Sequence, residues 1–407
     1  MSREKCEDQD NKVSREVVAR QALASLADNF SAPYMGYYLA ALRSSGLLQG
    51  ILQFSINALP TMAQLTLGPY LDKIGRYIRT LLITSVAASI LWIIISLIID
   101  PLQIVALYAL RAIIVGLAGL SLTSFIGVFY IDTSLRSRVL SMITIASQIT
   151  ALTSFLVVAL LPSPSIETLR TLFIVSGVIS LSASLIWLRL LGLDNCFSRS
   201  SSRRSLFQSL REVAKNKSFM KFNTYFSSYI LVMSLAWPYF PVAQRDLFKM
   251  SVSDLAVFNI LGTLSTMISQ YILMRLIDRL SLKKLIIASR IGFVIPPLFY
   301  AIAQGTELIY LSNILTGPFS AIGNIVITLY VYEVSIKGLQ ASHLAFLNFS
   351  QGIASAIGSV TGGVLMDQLI KNYGIDGIRI GFAASAILRL AVSMLFLRID
   401  DVRTKKI

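Results

Sequence analysis

Charge is scarce in this sequence. Only 14% of its 407 residues are Asp, Glu, Lys or Arg, where a soluble domain carries about a quarter. Histidine is almost missing. His343 is the single copy, which excludes a histidine-ligated metal cluster and leaves it a local role at the start of its helix. The two cysteines, Cys6 and Cys196, both fall on segments expected in the cytoplasm, so neither a disulfide nor a cysteine-built metal site is expected. No G-x-x-x-x-G-K-[ST] run occurs, so nothing cradles the phosphates of ATP. No nucleophile–base constellation is present either. The chain reads as a non-enzyme without cofactor.

What the sequence has instead is apolar length. Hydrophobic residues make up 55% of the chain, with a mean hydropathy of +0.70. The run "TLLITSVAASILWIIISLII" from Thr80 to Ile99 is long enough to cross a bilayer core, which takes about 20 apolar residues as helix. Backbone groups in lipid must be satisfied internally, so such runs are helices and not strands. Twelve spans are expected, near 18–41, 47–69, 80–99, 102–130, 139–161, 168–191, 219–242, 254–277, 284–303, 307–331, 341–366 and 376–398. Asp100-Pro101, "PSPS" at 162–165 and Gly305 mark breaks between them. The opening "MSREKCEDQDNKVSREVV" is polar, so no cleavable signal peptide is expected and span 1 acts as the first targeting segment.

The net charge of +15 is spread over short loops and not gathered on one folded face, which argues against a nucleic-acid partner. Most cations fall on one side of the predicted topology: Lys73, Arg76 and Arg79; Arg136 and Arg138; Arg275, Arg279, Lys283 and Lys284; and the tail Arg403, Lys405 and Lys406. The other side holds few, chiefly Arg43, Arg245, Lys249, Lys371 and Arg379. This positive-inside bias puts both termini in the cytoplasm of a plasma-membrane protein.

The longest polar interruption, 192–218, is rich in Ser and Arg. It reads as a cytoplasmic linker, partly helical over Leu206–Lys215, between a bundle at 1–191 and a second at 219–407. Its arginines suit anionic lipid, though an orientation signal in a solvated linker is the better account of them. The halves repeat one another. "IDRLSLKKL" follows span 8 as "LDKIGRYIR" follows span 2, and Asp132 after span 4 is answered by Glu333 after span 10. Parallel repeats of this kind are a membrane-transport architecture.

Between spans 2 and 3, Gly68, Asp72, Gly75, Arg76 and Arg79 resemble motif A of the major facilitator superfamily. With the spans, the linker and the weaker copy at Asp278, where Met274 and Ser281 replace the glycines, the resemblance covers essentially the whole chain. It implies two pseudo-symmetric six-helix bundles moving a small solute by alternating access, the chain working as a monomer among membrane lipids. It also implies a latch in which Asp72, with Arg76, Asp132 and Arg138, meets the start of span 11. Asp278, Arg279 and Glu333 supply the second-half counterpart. A carboxylate at a helix N-terminus is favourable by about 0.3–1 kcal/mol. Span 11 suits close packing, with Gly352, Ala356, Ser359 and Gly363 on one face and Gly358 and Gly362 beside it.

With no ATP site, such transport runs on gradients. A charge at mid-bilayer costs at least about 2.5–3.5 kcal/mol, so intramembrane charges mark the pathway. Asp28 on span 1 and Arg111 on span 4 both fall near the midplane. Arg111 resembles the motif B arginine, although Gly116 follows by five residues and not four. The pair reads as the proton-coupling site, with a buried structural ion pair as the alternative. Arg290 and Arg389 are expected to be peripheral and to reach toward the inner surface. Asn29, Tyr34, Tyr225, Tyr229, Trp237 and Asn324 are the substrate-cavity candidates, helped by bends at Pro238, Pro241 and Gly317-Pro318.

The lone carboxylate on span 1 with the span 4 arginine resembles proton-coupled drug exporters. Span 5 lacks their glycine-proline motif, so export is a lean, with proton-linked uptake of a sugar or metabolite and a non-transporting receptor as alternatives. The orientation has a direct test. An impermeant thiol reagent added to intact cells should leave Cys196 unmodified and label it after lysis; labelling from outside would overturn the topology.

Overall fold

The computed structural model describes residues 10–130, 133–161, 165–196, 206–336 and 339–402, and the described residues are helices and connecting turns without strands. In chain order these are α1 (Asp10–Asn29), α2 (Met35–Ala41), α3 (Gly46–Asn57), α4 (Leu59–Ile74), α5 (Tyr77–Leu97), α6 (Pro101–Phe129), α7 (Thr133–Ala159), α8 (Ile166–Ser184) and α9 (Ile186–Leu190). After the segment 197–205 come α10 (Leu206–Lys215), α11 (Lys217–Ser234), α12 (Tyr239–Val242), α13 (Val252–Leu276), α14 (Leu282–Gly292), α15 (Ile295–Ile302), α16 (Thr306–Val334), α17 (Gln340–Tyr373) and α18 (Asp376–Ser393). Ten stretches among the described residues are long and apolar enough to cross a membrane, from Tyr77–Leu97 to Asp376–Arg398. This is a multi-pass membrane protein. The first two expected spans, 18–41 and 47–69, are each divided, one at the turn Ala32–Tyr34 around Pro33, the other at Ala58 just before Pro60.

The helix starts follow from local chemistry. Asp100 accepts the amide of Leu102 at 3.3 Å while Pro101 takes the first helical position of α6, where its missing N–H costs nothing. Reciprocal capping boxes open α8 (Ser165 with Thr168) and α13 (Ser251 with Asp254). Arg136 closes the other end of α6, donating to the carbonyls of Gly127 and Tyr130 at 2.8–3.0 Å. Within α16, Pro318 leaves the Ile314 carbonyl without its helical donor. The Ser265 hydroxyl of α13 supplies one at 2.6 Å.

The chain forms two compact units that do not simply follow its order. The first holds the residues up to Tyr38 and Leu59–Arg203; the second holds Leu39–Ala58 and the residues from Arg204 onward. In the first unit, Val17, Tyr77, Ile78, Phe125, Tyr130 and Trp187 share a core. In the second, Phe219, Phe222, Phe226, Tyr229, Tyr330 and Phe396 do so.

The second unit owns α3, and α17 explains why. A Cβ on Gly50 would strike the carbonyl of Ser359, and one on Gly363 the carbonyl of Gly46. The small face read from the sequence therefore permits backbone contact. Gly358 and Gly362 do the same against the Leu231 and Leu235 carbonyls of α11. Asp367, near the end of α17, reaches the N-terminus of α3, accepting the amides of Gly46 at 2.6 Å and Leu47 at 3.0 Å. Ser45 caps the next free amide, that of Leu48. His343 opens α17 as expected, buried, with Nδ1 against the Leu339 carbonyl at 2.8 Å.

Loss of that cap is measurable. Asp367→Ala should destabilise the protein by about 1–2 kcal/mol, and Asp367→Asn by less, because the amide oxygen still accepts. Thermal unfolding midpoints in detergent check this; an Asp367→Ala midpoint equal to the parent's would contradict it.

Candidate functional site

Three helices of the first unit converge on Asp28. It lies at the end of α1, one residue before Asn29 ends the helix. Arg111, from α6, pairs with it through Nη2 and Oδ1, and Trp92 of α5 donates its indole N–H to the same oxygen at 3.4 Å. Burial of the partners is unequal: the Arg111 side chain is 7% exposed and that of Asp28 is 44% exposed. The guanidinium forms the floor and the carboxylate faces open space.

The floor is aromatic. The Arg111 guanidinium carbon stands 4.3 Å from the centre of the Trp92 ring, and Tyr108 lies edge-on to the same indole at 5.7 Å. Phe173 stacks on the far side of Trp92 at 5.3 Å. Cation–π attraction strengthens to about 2 kcal/mol when water is excluded, so Arg111 has two partners of different kind. A carboxylate buried alone favours its neutral form, whereas a guanidinium beside it favours the charged one. Asp28 and Arg111 stand here as a carboxylate–guanidinium pair backed by an aromatic ring.

The carboxylate opens into a cavity of about 380 Å³ within the first unit. Asn29 lines it, its amide turned back onto the Ser25 carbonyl at 2.7 Å. Ser147 of α7 and Ser180 of α8 complete a polar wall. Arg20 also lines this cavity. It is 8% exposed, donates to the Ser85 hydroxyl at 2.6 Å and to the Gln21 side chain, and lies 5.3 Å from the Trp187 ring. Sequence reasoning missed Arg20. The signal was present, because Gln21, Ser25, Asp28 and Asn29 recur at helical spacing and make a polar stripe in an apolar span.

Residues 222–407 match the Major Facilitator Superfamily. No curated protein matches the sequence. Among solved structures, the chain is similar to the nucleoside transporter NupG at 16% identity and a TM-score of 0.75, over 95% of this chain and 98% of that one. It is similar to a bacterial homologue of the human lysosomal transporter Spinster at 11% identity and a TM-score of 0.71, over 97% and 98%. A POT family transporter in complex with a thioalcohol-conjugated peptide gives 12% identity and a TM-score of 0.69, over 93% and 95%. The chain has the major facilitator fold.

Within that fold the other candidates separate. Gly75 occupies the left-handed region at φ 64° between α4 and α5, its amide closing α4 onto Leu71 at 2.9 Å. A glycine is the residue that suits this turn. Arg76 and Arg79 are exposed at the start of α5. Gly68 and Asp72 belong to α4, where only their backbone is described, and Asp132 lies outside the described residues. The carboxylate that caps α5 is Asp194, accepting the amides of Ile78 at 2.8 Å and Arg79 at 3.0 Å. Arg138 is exposed on α7 and shares with Arg15 an opening of about 580 Å³ lined mostly by apolar residues. In the second unit, the backbone of Asp278 lies in the turn Ile277–Arg279, and Arg279 and Glu333 are exposed.

Several expectations are corrected. Tyr34 and Tyr229 are fully buried; the Tyr229 hydroxyl donates to the Arg290 carbonyl at 3.0 Å inside the second core. Tyr225 and Trp237 are half-buried, the former packed against that core, and Asn324 is exposed on α16. Arg290 and Arg389 do not reach for the surface. They are 4% and 1% exposed. Arg290 sits about 5 Å from the rings of Phe226, Tyr229 and Phe293. Arg389 donates to the carbonyls of Met233 at 2.8 Å and Phe293 at 2.9 Å.

Proposed function

We propose that this protein is a secondary active transporter that moves a small organic solute by alternating access and couples that movement to protons. One observation carries the reading: a carboxylate that opens into a cavity between apolar helices while paired to a buried guanidinium. When the Asp28–Arg111 contact loosens, the carboxylate takes a proton; when it tightens, the proton leaves. Alternating access would expose such a site to each side of the membrane in turn. One proton crossing 100 mV and one pH unit supplies about 3.7 kcal/mol, enough for about a 500-fold gradient of a neutral solute. The motif A residues Gly68, Asp72, Gly75, Arg76 and Arg79 serve in this reading as the latch. The expected setting is the cell membrane, with both termini cytoplasmic and the chain acting as a monomer.

Export by proton antiport is the direction that the resemblance favours. The second reading, proton-linked uptake, is favoured by the charge balance of the cavity, in which two guanidiniums meet one carboxylate.

Asp28→Asn tests the coupling in proteoliposomes. It should abolish solute accumulation driven by a pH gradient and preserve solute exchange, since an amide resembles the neutral acid. Accumulation that persists in Asp28→Asn would return the pair to a structural role.

A further inference from the structure

We infer that the solute taken by the cavity of the first unit carries a negative group, a carboxylate or a phosphate, and that it moves together with the proton; this rests on the transport reading above. The cavity wall contains three charged side chains, Arg20, Asp28 and Arg111. Asp28 is committed to Arg111. Among the described residues Arg20 makes no ion pair, although the charge of Asp28 reaches it. Its described hydrogen bonds go to a serine hydroxyl and a glutamine amide, both neutral, and its Nε is buried without a hydrogen-bond partner. The Nε of Arg111 is buried in the same condition.

Two buried guanidiniums against one carboxylate leave a positive charge over in the cavity wall. An anion is the ligand that such a field selects. Guanidinium recognises carboxylate and phosphate better than other groups because its planar fork of donors matches their oxygens. An amine would add a third cation to the same wall. Ser25, Ser85, Ser147, Ser180 and Asn29 make the rest of the polar wall that would meet the body of the solute.

The proton enters through the same accounting of charge. Asp28 is faced by Arg111 and, at longer range, Tyr108 from α6, by the Trp92 indole from α5, and by Arg20 and Asn29 from its own helix; the cavity-lining residues of α7 and α8 are serines. Protonation of Asp28 removes the one negative charge in the wall and releases Arg111 toward the cavity. The anion then meets two free guanidiniums. Proton and anion therefore bind with mutual favour, and linkage makes that favour reciprocal. Mutual favour describes cotransport, where antiport needs competition.

The test uses purified full-length protein in detergent and four probe panels: monocarboxylates, phosphate monoesters, neutral sugars and nucleosides, and organic amines. Thermal stabilisation is read at neutral and mildly acidic pH. Stabilisers should come from the two anionic panels and act more strongly at the acidic pH. Their affinity should fall about tenfold or more in Arg20→Gln and recover in large part in Arg20→Lys, which keeps the charge and guards against a folding defect. Phosphatidylglycerol in mixed micelles is run beside them. Stabilisation by that lipid with none by soluble anions would overturn the inference, as would stabilisation by neutral or cationic probes alone or no response to any anion. Proteoliposomes separate this from the transport reading. A neutral solute moved by the protein upholds transport and sinks the anion site. An anion that binds through Arg20 but crosses under no gradient upholds the site and sinks transport.

Discussion

A guanidinium buried among helices has to be answered, and this protein answers four of them in different ways. Arg111 meets a carboxylate and an indole face. Arg290 lies among three aromatic rings, and Arg389 donates to two helix carbonyls. Arg20 meets a hydroxyl, an amide and a ring. Arginine stays charged under all ordinary conditions, so none of the four can escape its burial by losing a proton. Only the Arg111 answer is an ion pair with a carboxylate.

Backbone packing positions that pair. Small residues bring helices close enough that side chains in the gaps are sparse and defined: Gly116 of α6 would place a Cβ only 2.6 Å from the Pro60 carbonyl of α4. Carboxylates then fix helix ends, Asp194 holding the start of α5 and Asp367 the start of α3. Each satisfies amides that a helix leaves free and opposes the positive end of its dipole. Trp92, fifteen residues into α5, inherits its depth from the first of these caps. A shift of α5 along its axis would carry the indole away from both Asp28 and Arg111.

Much of this is legible in the residues. Ten of the twelve expected spans appear as continuous stretches close to their expected bounds, because apolar length in lipid leaves the backbone one choice. The helix expected over Leu206–Lys215 has those bounds. Depth in the membrane and the resemblance of Arg111 to motif B pair it with Asp28, and the structure joins the two. Other features were hidden for identifiable reasons. The breaks at Pro33 and Ala58 divide segments whose hydropathy is continuous. Aromatic residues such as Tyr229 suit a wet pocket and a dry core equally, and only tertiary neighbours decide between them. Arg20 sits close to the expected start of span 1, where a cation reads as an orientation signal. Asp194 and Asp367 cap helices distant in sequence, which no local pattern announces.

The central claim is that Asp28 exchanges a proton inside the cavity, and infrared difference spectroscopy of the purified protein addresses it directly. Acidification should raise a carboxylic-acid carbonyl band that is missing from Asp28→Asn, showing that this side chain takes the proton. An acid-induced spectrum identical in the parent and in Asp28→Asn would contradict the account.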